Sequence, residues 1–108
     1  MDGTTSKGEQ NMVAQTILNQ LGGKHFALMT GSKNFVGSKD SLTFRVGRNP
    51  KGIQVVKVTL TPADMYDVQF IKARGVNVKV AAEIKEIFAD DLKDAFFEGT
   101  GLYASLYA

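Results

Sequence analysis

Cysteine and tryptophan are absent from the 108 residues, histidine occurs once, at His25, and proline twice. Without cysteine there is neither a disulfide framework nor a thiolate zinc site, and without a second histidine there is no His–His pair, so any metal would have to be held by carboxylates. No stretch approaches the roughly 20 apolar residues of a membrane-spanning helix, and the polar segment Met1 to Gly8 lacks the apolar run of a signal peptide. No Asn-x-Ser/Thr sequon is present either. These absences lead to the expectation of a cytoplasmic protein with no membrane association and no cofactor.

What is present suits one hydrophobic core. Hydrophobic residues make up 44% and charged residues 22%, a globular balance at the length of a single domain. With no tryptophan, seven Phe and three Tyr must supply the large core side chains. Residues 1–8 have no periodicity and read as a flexible N-terminal segment, leaving 9–108 as a single α+β domain.

From Glu9 to Leu21, Met12, Val13, Ile17, Leu18 and Leu21 recur at helical spacing, and Gly22-Gly23 supplies a stop. From Lys24 to Thr30 the pattern alternates, predicting a first strand that turns at Gly31-Ser32-Lys33-Asn34. Phe35 and Val36 read as a short strand or an anchored loop. Leu42, Phe44 and Val46 alternate with Thr43 and Arg45 in the next strand, which ends in the loop from Gly47 to Gly52.

Ile53 to Thr61 is the most β-branched stretch and the best candidate for a central strand. Its pattern sets Val56, Val58 and Leu60 on one face against Ile53, Val55, Lys57 and Thr59 on the other. After the turn at Pro62 to Asp64, Tyr66, Val68 and Phe70 alternate as far as Arg74-Gly75, and Val76, Val78 and Val80 start another strand. Residues 81–88 fit strand or helix equally. Asp90 and Asp91 suit a helix N-terminus, Leu92, Ala95 and Phe96 form its inner face, and Gly99-Thr100-Gly101 ends it. Leu102, Tyr103, Leu106 and Tyr107 are expected to dock on the core. The sum is an N-terminal helix, an antiparallel meander of four to five strands, and a C-terminal helix packed on one sheet face.

Charge is uneven. Residues 24–79 carry a net +7 and residues 80–108 a net −4, within a whole of +2. Cations on strands and in turns point to phosphate attraction, with base stacking added wherever an aromatic faces outward. The bland alternative is that Lys and Arg only solubilise an open sheet face.

Several catalytic patterns fail on spacing. Gly31 to Lys39 has five residues between its glycines and Ser38 where a phosphate-loop lysine belongs. Gly99-Thr100-Gly101 lacks the third glycine of a dinucleotide fingerprint. Pro62-Ala63-Asp64 with Glu83-Ile84-Lys85 and Glu9 loosely resembles the PD-(D/E)xK nucleases, in which two carboxylates hold Mg²⁺ and a lysine stabilises developing charge. An alanine interrupts that pattern, which makes a nuclease the least favoured reading.

The runs Met29-Thr-Gly-Ser-Lys-Asn-Phe-Val36, Leu42-Thr-Phe-Arg45, Val58-Thr-Leu-Thr-Pro-Ala-Asp-Met-Tyr-Asp-Val68 and Ala89-Asp-Asp-Leu92, with Thr100-Gly-Leu-Tyr103, resemble small proteins of bacteriophages and other mobile elements. The likeness covers about residues 21–106. It implies an accessory protein of a bacterial host cell and carries no functional residues with it. The leading expectation is a non-enzymatic module that engages DNA, RNA or a nucleic-acid-handling complex through Lys33, Arg45, Arg48, Lys51, Lys57, Lys72 and Arg74. The alternative is a structural module, a homodimer or a binder of another protein, using an apolar sheet face that includes Ile53, Val55 and Ile71.

Overall fold

The computed structural model describes residues 13–102, which form helix α1 (13–21), α2 (Gly23–Thr30), strands β1 (Lys33–Gly37), β2 (Ser41–Arg45), β3 (Val55–Leu60), β4 (Tyr66–Arg74) and β5 (Asn77–Ile87), a 3₁₀ turn at Ala89–Asp91, and α3 (Leu92–Thr100). The strands make one open antiparallel meander in the order β1-β2-β3-β4-β5, so β3 is central, as its β-branched composition predicts. The expected lead-in at 1–8, the helix start at Glu9 to Met12, and the docking of Tyr103, Leu106 and Tyr107 lie outside the described residues. Among the described residues no helix is long and apolar enough to cross a membrane.

The first predicted strand is instead α2. Its alternation is only apparent: His25 and Leu28 are exposed, Leu28 by 84%, while Phe26 and Thr30, four residues apart, are buried. Thr30 Oγ1 donates to the Phe26 carbonyl at 2.8 Å, a bond available only within a helix. The glycine pair does not end helical structure but redirects it, since Gly22 (φ 127) and Gly23 (φ 61) take conformations open to glycine that let a second helix start at once. The reward for this reversal is the placement of Phe26, whose ring packs edge-on to Phe44 at 5.6 Å and Phe96 at 4.9 Å.

The ambiguous stretch 81–88 continues as strand to Ile87, with irregular pairing between Phe70/Ile71 and between Tyr66/Val68. Bulges of this kind let a long edge strand keep its hydrophobic register while it bends. At the second one Glu86 adopts φ 57 and its N–H donates to Asp67 Oδ1 at 3.0 Å.

Leu42, Phe44, Val56, Val58, Tyr66, Val68, Phe70 and Ile87 enter the core beneath Phe26 of α2 and Leu92, Ala95 and Phe96 of α3. The C-terminal helix therefore packs on one face of the sheet, as expected, and leaves the other open. Ile53 also lies in the core, only 4% exposed, contrary to its expected place on the open face. It precedes β3 in a loop, where strand alternation no longer governs side-chain direction.

Candidate nucleic-acid interface

In an antiparallel meander, alternate connections gather at the same end of the sheet. The start of β1, the β2–β3 loop and the β4–β5 turn share one end; the β1–β2 turn, the β3–β4 turn and the close of β5 share the other. The first end holds Lys33, Arg45, Arg48, Lys51, Lys72, Arg74 and Lys79, all exposed. The opposite end holds Asp40, Asp64, Asp67, Glu86 and, at the start of α3, Asp90 and Asp91, against the cations Lys39 and Lys85. The two ends of the sheet thus differ in net charge, the first positive and the second negative.

Two ladder positions at the basic end set cation directly against cation: Lys33 opposite Arg45, and Lys72 opposite Lys79. Like charges in that position repel and destabilise the pairing. Among the described residues none of the four is drawn into an ion pair that would relieve the repulsion. The pairs lie on different faces. Arg45 belongs to the open-face row Arg45–Val55–Ile71–Val80, whereas Lys72 follows the core-facing parity of Val68 and Phe70 and projects on the helix side.

The loop between β2 and β3 carries Arg48 and Lys51 on a braced backbone. Asn49 Nδ2 donates to the carbonyls of Gly47 at 2.8 Å and Ile53 at 2.6 Å, and its Oδ1 accepts from Ile53 N at 2.9 Å. Gly47 N donates to the Thr30 carbonyl at 3.0 Å, fastening the loop to the end of α2. Gly101, at the end of α3, lies so close to Pro50 that a Cβ there would come within 3.0 Å of the ring. Arg45 and Arg48 line an open depression over this loop with Asn49, and Lys51 and Lys72 share a second with Glu98 and Gly99.

Six of the seven residues singled out from the sequence thus meet at one end. Lys57 does not: it is half-buried in mid-strand, between Thr43 and Gln69. Among the described residues the open face lacks the stacking surface the strand pattern allowed for, because Phe44, Tyr66 and Phe70 all turn into the core, and Phe35 is half-buried against Phe44 at 5.2 Å. Missed from the sequence were Asn49, which organises the loop, and Lys79. The signal for Lys79 was there: it and Lys72 are equidistant from the Gly75-Val76 turn and so must face each other once a hairpin forms.

The residues of the nuclease pattern stand apart along the sheet. Asp64 sits in the β3–β4 turn at φ 62, and Glu83 pairs with Gln69, whose Nε2 donates to Glu83 Oε2 at 3.5 Å. Glu83 is three ladder residues beyond Tyr66, about 10 Å at the rise of a strand. Among the described residues no three His, Asp or Glu gather as a metal site, and Glu9 lies outside them. Tyr66, close to Asp64, has its phenol pushed above the ordinary value by burial and secondarily by that carboxylate.

No protein-family profile, curated protein or solved structure matches the chain.

Proposed function

We propose that this protein is a non-enzymatic module that binds nucleic acid through the basic end of its sheet, in the cytoplasmic, phage-type accessory setting that its sequence resemblance implies. The observation that carries the reading is the pair of cross-strand cation pairs, Lys33–Arg45 and Lys72–Lys79, at the same end. Each costs stability in the free protein, and a polyanion spanning the end would convert both repulsions into attractions. Their position on opposite faces fits a ligand that wraps the end of the sheet better than one lying flat on the open face. Arg48 and Lys51, held out by the braced loop, extend the same surface.

The test is a titration of the protein into labelled nucleic acid at several salt concentrations. Binding that weakens steeply as salt rises, with a slope that shallows by about one for each cation neutralised, is the expected result. No binding at low salt overturns the reading.

A second reading, a self-associating or protein-binding module, is favoured by the row Val55–Ile71–Val80 on the open face, in which Val80 is 47% exposed. It predicts a concentration-dependent dimer in sedimentation that Ile71→Lys dissolves.

A further inference from the structure

The hairpin formed by the ends of β4 and β5 extends beyond the core. From Lys72 to Glu83 every residue except Ala73 is exposed, and Val76, at the tip, is 96% exposed. Gly75, at φ 59, supplies the positive φ that a two-residue hairpin connection needs at its first position. Between Ile71 and Val80 the arm contains Lys72, Arg74 and Lys79 and no carboxylate. Its two faces differ. Lys72 pairs with Lys79 and Arg74 with Asn77 on the face that continues the core side, while Ile71 with Val80 and Ala73 with Val78 form the other.

We infer that this arm enters the major groove of double-stranded DNA, with Arg74 and Asn77 meeting base edges and Lys72 and Lys79 reaching the flanking phosphates. The inference rests on the proposed nucleic-acid reading and names the form of nucleic acid and the element that reads it. Three features support it. A two-stranded ribbon, its strands about 4.8 Å apart, fits a groove about 12 Å wide, whereas the deep, narrow major groove of duplex RNA excludes it. Arg74 and Asn77 are the side-chain types that contact guanine O6/N7 and adenine N6/N7 bidentately, and they stand side by side at the tip. The arm carries no aromatic on which the bases of a single strand could stack. Arg48 and Lys51, on the neighbouring loop, are placed to hold the backbone beside the groove.

The test compares the full-length protein with Arg74→Ala/Asn77→Ala and, separately, Arg48→Ala/Lys51→Ala, on a pool of random-sequence DNA duplexes, the same duplexes methylated at guanine N7, and duplex RNA. All four positions have exposed or half-exposed side chains with no partner in the core, and a circular dichroism spectrum checks that each variant is folded. The expected result is that guanine methylation weakens the native protein about ten-fold but leaves the arm variant unchanged, while the loop variant weakens on every duplex and keeps its sensitivity to methylation. Binding to DNA that ignores methylation, equal binding to duplex RNA, or an arm variant as tight as the native protein would overturn the groove inference and leave the proposed function standing. Failure of the native protein to bind any nucleic acid at low salt would overturn both.

Discussion

Gly99 of α3 lies flat against the ring of Phe70: a Cβ at that position would overlap ring carbons Cζ, Cε1 and Cε2. Helix propensity alone would favour alanine here by about 1 kcal/mol. The ring is fully buried, however, and overpacking a closed core costs about 1–3 kcal/mol, so the packing effect wins. Gly99→Ala is expected to lower stability by up to about 2 kcal/mol in a denaturant titration; an unchanged or raised midpoint would mean that α3 can slide on the sheet.

The Lys72–Lys79 pair separates stability from binding. Lys79→Glu replaces a repulsion by an attraction and should raise stability by about 0.5 kcal/mol while weakening affinity for DNA several-fold. Thermal unfolding and a binding titration on the same preparation check this. A variant that gains stability and keeps full affinity would show the pair to be irrelevant to ligand binding.

Asn49 is expected to matter more than any single exposed cation. Asn49→Ala removes three hydrogen bonds and strands the backbone groups of Gly47 and Ile53, a loss of about 2–3 kcal/mol. Hydrogen exchange should become faster across residues 47–53 before it does in the strands. Uniform acceleration would mean that the loop and sheet open as one unit.

Tyr66 gives the fold an alkaline limit. Its raised pKa means that the folded state resists losing the phenolic proton, so its contribution is intact below the unfolded pKa of about 10 and is lost as pH climbs through the folded value. Stability should therefore decline above about pH 10, and Tyr66→Phe should remove that part of the decline. Asp64→Asn should lower the Tyr66 midpoint followed by tyrosinate absorbance; no movement would leave burial as the sole cause.

The middle of the chain was legible because period-two alternation there is read out by a single buried face: Val56 and Val58 in β3, and Tyr66, Val68 and Phe70 in β4, all point inward as their spacing predicts. Residues 24–30 were not legible, because seven residues with apolar groups at odd and even positions satisfy both periods; what decides for a helix is the tertiary slot between Phe44 and Phe96 that Phe26 fills. The site was legible in composition and not in layout. Six cations could be named from sequence, but their gathering at one end depends on which connections lie together, and Lys57 leaves the group because it sits in the middle of β3, away from either end of the sheet. Asn49 carried no signal beyond turn chemistry, since its role depends on the return of the chain at Ile53.

The placement of carboxylates at the far end of the sheet, around Asp40, Asp64 and Asp90, bears on how quickly a ligand is met. In the field of a polyanion this charge arrangement acts as a permanent dipole and experiences a torque that turns the basic end forward before contact. Carboxylates that never touch a ligand would thereby shorten the orientational search, and neutralising them would slow association while the dissociation rate stayed the same.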